Sequence, residues 1–308
     1  MNFVPRAYKV SHRRLYKYLD VEGARLTLRT RTFKHAKPSD FNDCSDMTVE
    51  RTFPEDDETA AALYKANFQE IILRNIDRAP TCGSEDDRKK VALIQTIYRQ
   101  HPEFVQIAKQ KTEEMKLTDI YDLDRLRKVR ESVIADINRF LQAERVLCVS
   151  EKINSKKMWA LYAQDHQGIA LAIAPNMEKD SKYSLFRKVK YEEKRPCLYE
   201  SAMSYFENSL FGDRGAETKR ALDRVIYTKT KDWEYEQEYR LRIPMLEDSD
   251  WNAMPFHPEE IVDLYLGAEI STELKNECIG LAKTINPKIN IYQCVIGSAE
   301  GVSFCLGE

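Results

Sequence analysis

Glycine is scarce, at 10 residues in 308. No glycine-rich phosphate loop and no G-x-S-x-G elbow occurs, which removes the P-loop and nucleophile-elbow enzymes from consideration. The seven cysteines (Cys44, Cys82, Cys148, Cys197, Cys278, Cys294, Cys305) are odd in number and form no CxxC pair. No Cys/His cluster has zinc spacing, and His12, His35, His101 and His257 have no partners at metal spacing, so no metal is expected. Cys148, Cys294 and Cys305 sit in apolar runs and are expected as small core residues. No run is long enough to span a membrane, and the opening MNFVPRAYKVSHRR lacks an apolar signal core. With free thiols, these absences predict a reducing, cytoplasmic compartment. The net charge of -2 gives no global field toward nucleic acid or an anionic membrane, though 48 cationic side chains leave room for a local basic groove.

What is present is a globular composition: 43% hydrophobic, enough for a sizeable core, with 32% charged residues for the surface. Residues 14–18 alternate as a short strand. Asp20 is placed to cap a helix carrying Val21, Ala24 and Leu28, and 32–36 returns to strand character. KPSDFNDCSD is a polar loop in which Asn42 and Asp43 can close an Asx turn. From about 57 to 143 the periodicity is helical. Leu123, Leu126, Val129, Val133, Ile137 and Phe140 form one stripe, read as core packing. Strand signals return at 145–150, in IALAIA, in LFRKVKY, in IVDLYLG and in INIYQCVI. Helices are expected at KKMWALYAQ, ALDRVIYTKT and STELKNECIGLAK. This order predicts an α+β fold: one domain with a mixed central sheet, formed by about 1–50 and 144–308, with a helical insertion at about 57–143.

The most informative stretch is WEYEQEYRLRI, 233–243. Read as one strand, it places Trp233, Tyr235, Tyr239, Leu241 and Ile243 on one face. Glu234, Glu236, Glu238, Arg240 and Arg242 fall on the other, with same-face neighbours roughly 6.5–7 Å apart. Such a face is either a solvated ladder, each pair contributing under about 1 kcal/mol, or part of a cleft. In a cleft, one glutamate can hold a substrate hydroxyl and stabilise an oxocarbenium-like centre while the arginines hold a neighbouring anion.

Four separated motifs carry a resemblance: LYKY at 15–18, PSDFND at 38–43, MWALYAQDHQGIAL with Trp159, Tyr162, His166 and Gly168, and KTKDWEYEQEYR with Lys229, Trp233, Glu236, Glu238 and Arg240. In this order they resemble the bacterial family known as domain of unknown function 2971, whose name carries no activity. More distantly, a tyrosine-bearing first strand, a helix, a second strand and a late Glu-x-Glu strand are similar to the ADP-ribosyltransferases. That resemblance implies an ADP-ribosyltransferase-like fold and NAD as cosubstrate, with Glu238 as the catalytic carboxylate and Glu236 orienting the acceptor. It also implies that Tyr16, Lys17 or Tyr18 lines the ribose or nicotinamide pocket. The first strand holds Tyr16-Lys17-Tyr18 where those enzymes carry His or Arg, and no Ser-Thr-Ser motif is visible.

Around this centre, Asn42 and Arg240 are candidates for ribose or phosphate, and Trp159 or Tyr162 for stacking on a flat ring. His166 is expected in an exposed turn. Arg13, Arg14, Arg29, Arg31, Lys34 and Lys37 form a basic region suited to solvent, pyrophosphate or a nucleic-acid acceptor. The leading expectation is an ADP-ribosyltransferase-like effector, of the phage-defence or toxin kind, acting on protein or nucleic acid. The alternatives are a non-catalytic nucleotide-binding or regulatory module with a buried Glu-Arg scaffold, and a metal-dependent nuclease built on Asp43, Asp46, Glu236 and Glu238. No membrane partner is expected.

Overall fold

The structure, a computed structural model, describes residues 14–81, 83–116, 123–245, 252–297 and 302–306. His12, Arg13 and Cys82 lie outside them. The chain divides into two compact units: Met1–Asp46 with Gln142–Lys194 and Tyr227–Glu308, and Met47–Leu141 with Arg195–Ile226.

In chain order the elements are β1 (Leu15–Leu19), α1 (Val21–Thr30) and β2 (Thr32–Lys34), then four helices, α2 (Asp57–Arg74), α3 (Glu85–Gln100), α4 (Glu103–Glu114) and α5 (Leu123–Ala143). Next come β3 (Arg145–Ser150), α6 (Lys156–Tyr162), β4 (Ile169–Ile173), β5 (Arg187–Lys188), β6 (Lys190–Glu192), α7 (Ala202–Phe211) and α8 (Arg214–Ile226). The chain ends with β7 (Thr228–Thr230), β8 (Glu238–Ile243), β9 (Ala253–Pro255), β10 (Ile261–Leu266), α9 (Thr272–Ile285), β11 (Asn290–Ile296) and β12 (Val302–Leu306). The fold class is α+β.

The first unit is built on a sheet of order β12-β11-β10-β4-β1-β3-β8-β5, with β10 and β11 parallel and the other pairs antiparallel. β4 is IALAI, wholly buried, as a central strand covered on both faces must be. In β1, period-2 alternation sends Leu15 and Leu19 into one core with Leu147, Val149, Leu171, Leu241 and the buried sides of α1 and α9. Tyr18 joins a second core on the opposite face, with Trp159, Ala170, Ala172 and Tyr265. A transverse row of registered positions on that second face runs Asp263, Ala172, Tyr16, Ser150, Glu238. Asp20 caps α1 by accepting from Gly23 N at 2.6 Å, and Ser271 caps α9 by accepting from Leu274 N at 3.2 Å.

In the second unit, α2, α3 and α7 contribute Ile71, Ile72, Val91, Tyr98, Phe206 and Phe211 to a core with Phe53. The α5 stripe is corrected here. Val129 and Val133 are exposed while Leu126 and Leu141 are buried, so the buried line is rotated from the one that apolar spacing suggests. Arg130 accounts for part of this, since its guanidinium lies 4.0 Å over the Phe53 ring and pairs with Asp57. A long stem with a paired head can face inward where a shorter polar group cannot.

Between α6 and β4 the backbone is strained. Gln164, Asp165 and His166 have φ of 49°, 49° and 66°, three successive left-handed residues that are not glycine. Hydrogen bonds hold the turn: Gly168 N donates to Ala163 O at 2.8 Å, Gly267 N to Gly168 O at 3.0 Å and Glu269 N to His166 O at 3.0 Å. His166 is half-buried, its ring stacked on Trp159 at 6.0 Å, which corrects the expectation of an exposed side chain. A Cβ on Gly168 would come within 2.0 Å of Leu19 O, and one on Gly267 within 2.0 Å of His166 O. Gly168→Ala or Gly267→Ala is therefore expected to lower the melting temperature by several degrees. Gly280→Ala in α9, with nothing near its Cβ, is expected to be neutral or stabilising by up to about 1 kcal/mol. Thermal melts of the three variants check this.

Candidate functional site

The reading of 233–243 as one continuous strand is corrected. Residues Lys231–Glu236 form a 3-10 turn, Gln237 has φ of 43°, and β8 begins only at Glu238. Glu234 is exposed, and it does not join the other two glutamates. The left-handed Gln237 turns the chain so that Glu236, off the turn, and Glu238, on the strand, approach the same point from two directions. A straight strand would have left them one pleat repeat apart.

That point is the ammonium of Lys229, on β7. Its Nζ lies 2.7 Å from Glu236 Oε2, 3.8 Å from Glu238 Oε2 and 3.6 Å from Asp46 Oδ2. Arg240, two residues along β8, donates Nε to Glu238 Oε1 at 2.8 Å and Nη2 to Glu238 Oε2 at 3.0 Å. It also donates Nη1 to Asp46 Oδ1 at 3.1 Å and Nη2 to Asp46 Oδ2. This is bidentate recognition on both sides of one guanidinium. All five charged side chains are buried, which corrects the picture of a solvated ladder. Three carboxylates face two cations, so the nest would carry a net charge of -1 with every group ionised.

The shortage of positive charge falls unequally. Burial pushes Glu238 up, but Arg240 and then Lys229 more than offset it and bring its pKa down to about 2. Burial and the Glu238 charge push Glu236 up, and Lys229 only partly relieves it. Lys229, opposed by burial but facing Glu238, Glu236 and Asp46, is raised. Environment has thus moved the pKa values of two neighbouring glutamates in opposite directions.

Polar groups complete both sides. Tyr162 OH donates to Glu236 Oε1 at 2.5 Å, and Asn42, exposed on its loop, is near enough to the same phenol to pull its pKa down slightly. Burial and then Glu236 hold the Tyr162 phenol firmly protonated. Ser150 Oγ donates to Glu236 O at 2.6 Å, and Glu238 N donates to Tyr191 OH at 2.8 Å. The Cys148 thiol hydrogen-bonds Glu238, and burial followed by that carboxylate raises it well above the ordinary thiol range. Cys294 is buried as expected, whereas Cys305 is exposed on the last strand, correcting the core assignment.

Of the residues singled out in the sequence, the structure brings Glu236, Glu238, Arg240, Tyr162 and Asn42 together. Tyr16 and Tyr18 share the sheet face of Glu238, but their polar ends are engaged elsewhere: Tyr18 OH donates to Lys152 O at 2.7 Å, and Tyr16 hydrogen-bonds Tyr265. Lys17 is on the opposite face and donates to Cys148 O at 3.1 Å. Trp159 is fully buried, with its indole N–H on Ile153 O at 2.8 Å. In the basic region Arg14 pairs with Asp263, Arg29 with Glu277 and Lys34 with Asp40. Lys229 stands out in the sequence only as part of a motif, and Asp46 only as a possible metal ligand. Asp46 is 194 residues from Arg240 and carries no local signal of its partner.

The nuclease arrangement finds no support in this geometry. Lys229 Nζ occupies the point on which Asp46, Glu236 and Glu238 converge, and Asp43 accepts from Ser45 N at 3.0 Å, closing an Asx turn. Among the described residues, no group of three or more His, Cys, Asp or Glu side chains could hold a metal ion. No helix among them is long and apolar enough to cross a membrane.

A family profile described as "Protein of unknown function (DUF2971)" matches residues 158–241, the span that supplies Tyr162, Tyr191, Lys229, Glu236, Glu238 and Arg240. No curated protein and no solved structure matches the chain significantly.

The two glutamates make opposite contributions to pH-dependent stability. Glu238, depressed from 4.5 to about 2, adds stability that is fully present above 4.5 and lost as pH falls through 2. Glu236, raised, favours the fold below its unfolded value and costs stability as pH rises through its folded one. Glu238→Gln strips Arg240 of one of its two charged partners. It is expected to lower the melting temperature at pH 7 by roughly 6–12 °C, a deficit that shrinks below pH 4.5. Glu236→Gln is expected to melt at or above the wild type at pH 7, the difference closing in acid. Melting curves between pH 3 and 8 check both signs.

Proposed function

We propose that this charge nest is the reaction centre of an enzyme acting on the N-glycosidic bond of a nucleotide, in the manner of ADP-ribosyl transfer from NAD to protein or nucleic acid. We further propose that Glu236, not Glu238, is the carboxylate that meets the sugar. The observation that carries this reading is the split between the two glutamates. Glu238 is held by Arg240 through both carboxylate oxygens, leaving it a fixed negative charge. Glu236 keeps a raised pKa, has Lys229 and Tyr162 but no guanidinium on its oxygens, and lies with Tyr162 near the exposed Asn42.

The chemistry follows from those properties. Glu236 accepts a hydrogen bond from a ribose hydroxyl, and its charge opposes the positive charge that develops at the anomeric carbon as the bond to nicotinamide breaks. The nicotinamide nitrogen leaves with the bonding electron pair, and a nucleophile of the acceptor forms the new bond to that carbon. The acceptor's proton passes to Glu236, whose raised pKa suits it to hold one. Tyr162 orients the carboxylate, and Asp46, Arg240 and Glu238 form the rigid base of the site. The Trp233 ring, with Lys229 Nζ 4.3 Å from its centroid, supplies a flat wall.

A second reading, a non-catalytic nucleotide-binding or regulatory module in which the nest is scaffold, is favoured by the complete pairing of Glu238. One variant separates the two. If the site is catalytic, Glu236→Gln stays folded and loses transfer of label from adenylate-labelled NAD by about 10²–10³-fold. Absence of any wild-type transfer to a broad panel of protein and nucleic-acid acceptors would leave only the scaffold reading.

A further inference from the structure

Lys157 differs from the cations of the nest and from the paired lysines around it. Lys229 and Arg240 are surrounded by carboxylates. Lys188 and Lys231 pair with Glu151 and Glu193, and Lys156 donates to Gly297 O at 3.0 Å. Lys157 is exposed and has no carboxylate partner among the described residues. Yet its ammonium has a fixed place, 3.6 Å from the centroid of the Tyr235 ring. A cation over a half-buried aromatic face is held without being neutralised, so its charge stays available to a ligand.

The placement relative to Glu236 gives that charge a meaning. Helix α6 meets the 3-10 turn through two side chains: Lys157 over Tyr235, and Tyr162 on Glu236. Tyr235 also packs against the same apolar cluster as Tyr162. Its phenol, pushed up to about 12 by burial and then by Glu236, stays protonated and able to donate at neutral pH. The geometry points to a phosphate subsite formed by Lys157 and Tyr235, beside the sugar position at Glu236 and Tyr162. The ligand class is then a phosphorylated sugar or nucleotide rather than a free nucleoside. A compact ammonium suits a phosphate oxygen as a point charge, and Tyr235, which holds it, is the residue next to Glu236 in the chain.

This assignment takes the sugar-facing role of Glu236 from the reading above, and the test separates the two. Calorimetric titration of wild type and Lys157→Gln with ADP-ribose and with adenosine measures the phosphate contribution directly. Lys157 is on the surface, so the variant is expected to melt with the wild type. The wild type is expected to bind ADP-ribose at least ten-fold more tightly than adenosine. Lys157→Gln should weaken ADP-ribose five- to ten-fold, leave adenosine unchanged, and be largely rescued by Lys157→Arg. If both ligands bind and Lys157→Gln leaves ADP-ribose untouched, or weakens both equally, the phosphate subsite is refuted while the role of Glu236 stands. If neither ligand binds the wild type, both assignments fall together.

Discussion

Two buried cations shared among three buried carboxylates are the constraint around which the first unit's site is arranged. A guanidinium buried on a sheet face is tolerable only when its donors are met. Arg240 meets them with Glu238 from its own strand and Asp46 from a distant loop. Once those bonds form, β8, the loop ending at Asp46 and β7 with Lys229 are held at one point. Removing a partner leaves a charge in a medium that cannot solvate it, so the network resists piecemeal change.

Because the cations are one short, the deficit must appear somewhere, and it appears at Glu236. Arg240 takes Glu238 and Asp46 in paired hydrogen bonds. Glu236 receives a single ammonium that two other acids also attract. Burial first, and then the charge of Glu238, raise its pKa, and raised carboxylates beside depressed ones are a frequent signature of acid–base sites. The most strongly held acid is therefore the poorer candidate for chemistry.

Backbone irregularity serves the same end. The left-handed conformation of Gln237 brings two glutamates to one lysine, and its own side chain donates to Glu234 O at 2.8 Å. The strained turn at 164–166 follows directly on the helix that carries Tyr162, and it is pinned by hydrogen bonds from both sides. Strain in each case lies beside a functional candidate and is held by its surroundings.

Much of the scaffold was legible in the chain itself, because local rules govern it. Alternation in RLYKY, the continuous apolar run of IALAI and the cap at Asp20 each correspond to an element in place. The site was legible in part. The glutamates, Arg240, Tyr162 and Asn42 stood out by residue type, but the geometry joining them did not. Alternation in WEYEQEYRLRI mimics a strand, and nothing local reveals that Gln237 turns left-handed. Apolar spacing misplaces Cys305 and the α5 valines because it does not say which side a neighbouring element covers. The inventory of charges was set by sequence alone. Which carboxylate has its pKa depressed and which has it raised was decided only by tertiary structure, because pKa depends on burial and on partners, Lys229 and Arg240, that are themselves held by the sequence-distant Asp46.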